Sequence, residues 1–326
     1  MIDINKIVEQ AVKKDASDIH LMVEYKPMYR IGCSLVKMEG ATALKYEDMN
    51  EIAKKFAKGN TVYNFNGINV DVNSSYANNT PVYTMKILKN RLPEYEDLQL
   101  PDILREMTHQ TQGLILVAGN KKSGKTTTLN ALVRHINETQ NKKIITLEKT
   151  IEYNHKPRSS MIVQKRVGID FETYAKGVKN ALREDCDVLV LEDIRNKETM
   201  EAVLELIEEG HLVIAGINEK TATEAIEKIV NCYNPEEHNQ IKYALSKSLK
   251  LVISQKLLLG TKGKLELLAE VTVPNDNKKS ISLVESLAKL YIENKITLKQ
   301  AKSQLEEKDM LTELLSWVFV LKILAI

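Results

Sequence analysis

The sequence predicts an α/β chain: a small N-terminal α+β domain, a doubly wound domain around a buried parallel sheet, and a C-terminal helical segment. Two observations carry this. From Gly113 onward, unbroken apolar runs at 114–118 (LILVA), 144–147 (IITL), 188–191 (VLVL) and 212–216 (LVIAG) alternate with helical patterns. Runs without polar alternation suit strands covered on both faces, and their alternation with helices is the mark of a doubly wound sheet. Before residue 90 the runs are short and separated by turn residues, as in a small mixed domain.

Residues 3–14 place Ile4, Ile7, Val8, Ala11 and Val12 at helical spacing. Strand-like runs follow near 19–23, 28–37 and 81–88, with a helical stretch at 46–58. Gly and Asn cluster at 59–80, which reads as turns between short strands. Pro93 and Pro101 flank an acidic connection, giving expected divisions at 1–92, 93–104 (linker), 105–275 and 276–326. Helices are predicted at 126–139, 172–184 and 198–209, the last stopped by Gly210 in the manner of a C-cap. Helical patterns at 221–232, 237–254 and 281–318 complete the chain.

At 326 residues the chain has room for two cores, since single cores stop growing near ~250–300 residues. A net charge of +2 argues against a nucleic-acid partner, and runs such as Lys142–Lys143 are too short for a basic tail. Cys33, Cys186 and Cys232 lie far apart without a CxxC pair, which excludes a disulfide framework or zinc knuckle and suits a reducing cytoplasm. The N-terminal residues lack the basic and apolar regions of a secretory signal. The apolar tail from Leu314 to Ile326 falls short of the ~20 residues of a spanning helix and is interrupted by Lys322, so it is expected to pack as a final helix of a soluble protein.

Residues 119–126, Gly-Asn-Lys-Lys-Ser-Gly-Lys-Thr, fit G-x-x-x-x-G-K-[ST] between a predicted strand and a predicted helix, the context that gives the pattern its meaning. The chemistry calls for a loop whose backbone N–H groups and helix N-terminus surround phosphates. Gly119, Asn120, Lys121, Lys122, Ser123, Gly124, Lys125, Thr126 and Thr127 are therefore the candidate ATP-binding residues. Lys125 is expected to reach the β- and γ-phosphates, and the Thr126 hydroxyl to ligate Mg²⁺. Glu192 and Asp193 end the run 188–191, where metal-side carboxylates of such sheets sit. Glu148 and Glu152 follow the run 144–147, and either can polarise an attacking water.

The chain resembles the type IV pilus retraction ATPases. Residues 16–21 (ASDIHL) and 26–30 (KPMYR) resemble the start of that family's N-terminal domain, and 146–152 (TLEKTIE) its Asp box. Residues 181–195 (ALREDCDVLVLEDIR) resemble its Walker B region, Gly210-His211-Leu212-Val213 its His box, and 251–255 (LVISQ) and 294–298 (NKITL) also fit. The resemblance implies a PAS-like N-terminal domain followed by a RecA-like ATPase domain. It implies Glu152 as general base and Asp193 as the Walker B acid and metal-side residue. It also implies a cytoplasmic homo-hexamer that powers pilus retraction and twitching motility. Such a ring meets an inner-membrane platform protein, through which it is held at the membrane, and has a second pilus ATPase among its partners. Relatives in pilus assembly and type II secretion carry an extra N-terminal domain and a four-cysteine module, neither of which is found in this sequence.

Several family positions differ. The Walker B Glu is Asp193, preceded by Glu192 rather than Gly, and the later His of the His box aligns with Asn218. Lys149 and Thr150 replace the Asp and Pro of the Asp box, and Lys122 replaces a P-loop Gly. No arginine occurs between Arg30 and Arg91, where Lys86 is the available substitute, and a lysine lacks the bidentate fork. Pro274 and the polar residues after it stand where the family's coupling helix begins. These departures raise a second expectation, a paralogue that binds ATP and serves a ring as a regulatory subunit. A weaker third is an assembly or secretion ATPase. Of the histidines, His20 and His211 fall in matched motifs, whereas His109, His135, His155 and His238 lack metal-ligand spacing.

Overall fold

The computed structural model describes residues 3–31, 34–56, 61–66, 68–88, 92–274, 276–305, 310, 314 and 316–318. Cys33, residues 57–60, Arg91, Asn275 and the tail from 319 onward, with Lys322, lie outside the described residues. The chain divides into two compact units, residues 1–91 with 150–154, and residues 92–149 with 155–326.

In the first unit, helix α1 (Ile4–Lys13) buries Ile4, Ile7, Val8 and Ala11 along one stripe, and Asp3 caps it by accepting from the Asn5 N–H. Strands β1 (Asp18–Leu21), β2 (Met28–Ile31), β3 (Ser34–Lys37), β4 (Thr61–Phe65), β5 (Ile68–Ala77) and β6 (Thr80–Ile87) form a sheet in the order β3-β2-β1-β6-β5-β4. Every pairing in it is antiparallel. Helix α2 (Tyr46–Lys55) contributes Met49 and Ile52 to a core shared with Ile19, Leu21, Tyr29, Val70, Val72 and Met85. The run expected at 28–37 is two strands. The Asn-rich stretch at 59–80, expected as turns between short strands, holds β4 and the ten-residue β5, and the run expected near 81–88 is β6. Asn78 and Asn79, at φ 49° and 58°, form the two-residue loop between paired Ala77 and Thr80. Positive φ at both central residues matches the right-handed twist of a hairpin, which is why asparagine stands there.

The second unit opens with helix α3 (Ile103–Met107) and strand β7 (Gly113–Ala118). Helix α4 (Lys125–Thr139), strands β8 (Lys143–Glu148) and β9 (Met161–Arg166), helix α5 (Tyr174–Leu182), strand β10 (Val188–Leu191) and helix α6 (Lys197–Glu208) follow. Strand β11 (Leu212–Ile217), helices α7 (Ala222–Asn231) and α8 (His238–Ser248), strands β12 (Leu249–Leu259) and β13 (Leu265–Thr272), and helices α9 (Leu283–Ile292) and α10 (Leu298–Lys302) complete it. The sheet order is β13-β12-β7-β11-β10-β8-β9, parallel throughout except for β13 against β12. Every residue of β7, β10 and β11 is buried, as their unbroken apolar runs require.

The helix expected at 237–254 stops at Ser248. The next eleven residues are β12, which pairs with β7 on one side and β13 on the other. The pattern at 281–318 is likewise broken, with Asn294 at φ 55° between α9 and α10. Among the described residues no helix is long and apolar enough to cross a membrane.

Candidate nucleotide-binding site

Strand β7 delivers the chain to Gly119, and α4 begins at Lys125, so residues 119–124 are the loop between a buried strand and a helix N-terminus. A side chain at Gly119 would place its Cβ 2.3 Å from the Ser123 Oγ and 2.7 Å from the Gln255 carbonyl, so the tight turn requires glycine. Lys122 sits at φ 67° and Gly124 at φ 95°. The left-handed conformation at Lys122 costs on the order of 1 kcal/mol for a side-chain-bearing residue, the strain expected if this position needs positive φ. The Lys125 Nζ donates to the Gly119 carbonyl and, at 3.0 Å, to the Asn120 carbonyl. Burial lowers its pKa, and the nearby negative charges of Asp193 and Glu192 oppose that shift. Thr126 follows on the first turn of α4, where phosphate and metal oxygens are met.

Across the sheet, β10 ends at Leu191 and presents Glu192 and Asp193. The Ile194 N–H donates to the Gly216 carbonyl at 2.9 Å, and a Cβ at Gly216 would lie 2.1 Å from the Glu192 carbonyl. Only glycine lets β11 approach this turn so closely, which fixes where Asp193 points. The Asp193 Oδ2 accepts from the Arg195 Nε at 2.8 Å, while Oδ1 is buried and has no partner among the described residues. Glu192 accepts from the Lys149 backbone N–H. Glu148, at the end of β8, is 6% exposed, and its Oε1 accepts from Thr146 Oγ1 at 2.6 Å and Gln164 Nε2 at 3.1 Å. Thr126, Asn130, Thr146, Glu148 and Glu192 line one small cavity behind the loop.

A hydroxyl at Thr126 and a carboxylate whose buried Oδ1 lacks a partner at Asp193 are hard oxygen donors that fit Mg²⁺. Among the described residues no three His, Cys, Asp or Glu side chains gather as a metal cluster. One carboxylate and one hydroxyl suffice where substrate phosphates complete the shell.

The structure thus brings Gly119–Thr127, Asp193, Glu192 and Glu148 to the C-terminal ends of the parallel strands β7, β10 and β8 of the second unit. Glu152 groups with the first unit, where its Oε1 accepts from the Lys86 Nζ at 2.5 Å. His20 is within 3.5 Å of the Thr84 hydroxyl in the first sheet, and His211 offers its carbonyl to the Gly113 N–H. Sequence reading missed three residues around the loop. Gln255 on β12 binds both the loop and α4, its Nε2 donating to the Ser123 carbonyl at 2.8 Å and its Oε1 accepting from Thr128 Oγ1 at 2.9 Å. Asn130 bridges the Thr126 carbonyl at 2.8 Å and His155 Nε2 at 2.7 Å. No local signal marks these contacts, because Gln255 lies 132 residues from Ser123 in sequence.

The family model described as "Type II/IV secretion system protein" matches residues 84–291 of this chain. The chain belongs to that family. It is 32% identical over 270 residues to the uncharacterized protein YggR of Escherichia coli (strain K12), covering 78% of this chain and 81% of the relative. It is 26% identical over 302 residues to the type IV pilus retraction ATPase PilT of Pseudomonas aeruginosa, covering 89% and 88%. A crystal structure of the pilus retraction motor PilT with bound ADP superposes with a TM-score of 0.86 at 29% identity, covering 95% of this chain and 98% of that one. The chain is accordingly a nucleotide-binding P-loop ATPase with an N-terminal antiparallel-sheet domain and a RecA-like domain.

Proposed function

We propose that this chain is a motor ATPase of a type IV pilus machine that drives retraction, working as a homo-hexamer on the cytoplasmic side of the membrane against an inner-membrane platform protein. The observation that carries this reading is the P-loop after β7 set beside Asp193 after β10, two parallel strands on either side of β11, in a fold shared along nearly its whole length with a retraction motor. Division into an N-terminal domain (1–92), a linker (93–104), an ATPase domain (105–275) and a C-terminal helical segment (276–326) belongs to the same reading.

In this mechanism the loop amides of Gly119–Thr127 and the N-terminus of α4 bind the triphosphate. Lys125 exchanges its bonds to the Gly119 and Asn120 carbonyls for bonds to β- and γ-phosphate oxygens. Thr126 and Asp193 would hold Mg²⁺, which would supply positive charge to offset the negative charge of the phosphates. Glu152 takes a proton from the water that attacks the γ-phosphorus as the bond to the β-γ bridging oxygen breaks and ADP leaves. Lys86, paired with Glu152, orients that carboxylate.

One observation favours a second reading, a regulatory ring subunit that binds ATP and turns it over slowly: the Asp193 carboxylate is engaged by Arg195. Deletion of the gene in the source organism, complemented with wild type and with Glu152→Gln, separates the two. The motor reading expects lost pilus retraction that wild type restores and Glu152→Gln does not, whereas a regulatory subunit needs only bound ATP and Glu152→Gln restores it. Retraction that persists without the protein contradicts the motor reading.

A further inference from the structure

The P-loop is held in its shape from outside, by a residue on a strand far away in sequence. Gln255 is 4% exposed, and its amide is hydrogen-bonded through both its nitrogen and its oxygen. Its Nε2 donates to the Ser123 carbonyl at 2.8 Å and its Oε1 accepts from the Thr128 hydroxyl at 2.9 Å. The amide can point only one way, since a flipped oxygen would face the Ser123 carbonyl. The rest of the residue also meets the loop. A Cβ at Gly119 would lie 2.7 Å from the Gln255 carbonyl, and one at Gly124 would lie 3.0 Å from its Nε2. Between those two glycines, Lys122 holds φ 67° without a glycine's freedom. The Ser123 N–H closes the turn on the Asn120 carbonyl at 3.2 Å, and Lys125 binds that same carbonyl.

We infer that Gln255 is a positioning residue for nucleotide binding: its amide clamps the Ser123 carbonyl and the first turn of α4 to strand β12, and so keeps the strained loop in its phosphate-ready form. The physical argument is preorganisation. A loop with a positive-φ lysine at its centre relaxes when nothing over-determines it, and relaxed amides must be reordered when phosphate arrives. The clamp also couples the loop to the β12–β13 hairpin, so a displacement of β12 is transmitted to the Ser123 peptide without any contact to the phosphates. This inference rests on the P-loop being the nucleotide site and not on whether the protein is a motor.

The test uses equilibrium binding of a fluorescent ADP analogue to the full chain, with thermal unfolding followed in parallel. Gln255→Leu leaves the Ser123 carbonyl buried and unpaired, and binding is expected to weaken about tenfold. Thr128→Val removes the donor that orients the amide and should give a loss of the same order, while Thr128→Ser, which keeps the hydroxyl, should bind like wild type. The Gln255→Leu/Thr128→Val double variant should bind no worse than the weaker single variant, because one clamp has been removed once. If Gln255→Leu does not fold, the Thr128 pair decides alone. Binding unchanged in Thr128→Val, or equal losses in Thr128→Val and Thr128→Ser, overturns the inference. Because the readout is binding, a wild type that binds ADP but hydrolyses no ATP would refute the motor reading and leave this inference standing.

Discussion

His155 sets a pH dependence that can be worked from its surroundings. Its Nε2 faces the Asn130 Oδ1 at 2.7 Å, and Asn130 donates its Nδ2 to the Thr126 carbonyl, so the Asn130 oxygen faces the ring and Nε2 carries the hydrogen. Burial, with a smaller contribution from the charge of Arg134, lowers the imidazole pKa from its usual 6.5 to about 4. Above pH 6.5 the ring is neutral in both the folded and the unfolded chain. As pH falls below 6.5 the unfolded chain takes up a proton that the folded one refuses until pH 4. Stability is therefore lost across that window and levels off below it. At 1.36 kcal/mol per pH unit the loss is at most about 3 kcal/mol, equivalent to roughly 6–12 °C in Tm for a unit of this size. His155→Gln keeps a donor for Asn130 but does not titrate. The assay is Tm against pH for both proteins between pH 7.5 and 4. The wild-type curve should fall more steeply than that of the variant, the gap opening between pH 6.5 and 4. Parallel curves would refute the claim that His155 is held neutral.

Three further outcomes follow from the same geometry. Lys122→Gly removes the left-handed strain at φ 67°, on the order of 1 kcal/mol, but adds unfolded-state freedom of about 0.5–1 kcal/mol, for a net gain of at most about 0.5 kcal/mol, read as a small rise in the urea midpoint. Gly216→Ala drives a Cβ to 2.1 Å from the Glu192 carbonyl and should lower stability by about 1–3 kcal/mol while displacing Asp193, so Mg²⁺-dependent turnover falls with it. Arg195→Gln releases the Asp193 carboxylate from a half-exposed ion pair worth up to ~1 kcal/mol. The Mg²⁺ concentration for half-maximal turnover should then drop about two- to fivefold, and an unchanged value would show that Arg195 and the metal do not compete.

What the sequence made legible was whatever is written locally. Runs such as 188–191 and 212–216 announce strands buried on both faces, and all four expected runs are strands of one sheet. The loop 119–126 needs only its own glycines and the strand and helix on either side. Strand β12 was illegible because it starts at Leu249 directly from the last turn of α8, with no glycine or proline between them, and Ile241, Leu245 and Leu249 keep helical spacing across the junction. Pairing with β7 and β13 decides its state, and that is a tertiary matter. The length of β5 was obscured by asparagines, which mark the hairpin loop at 78–79 but also stand within the strand before it, at Asn69 and Asn73, whereas β6 showed as the run near 81–88. Gln255, Thr128 and Asn130 act through partners chosen by the fold, so no spacing rule could single them out.

The central claim is that Lys125, Thr126 and Asp193 form a working ATPase site with Glu152 as base. Steady-state ATP hydrolysis with Mg²⁺ by the full chain, beside Lys125→Ala and Glu152→Gln, tests it most directly. The account predicts turnover by the wild type well above both variants, with nucleotide binding lost in Lys125→Ala and kept in Glu152→Gln. Wild-type turnover no higher than that of Glu152→Gln, with nucleotide still bound through Lys125, would contradict it and leave a nucleotide-binding subunit that does not act as a motor.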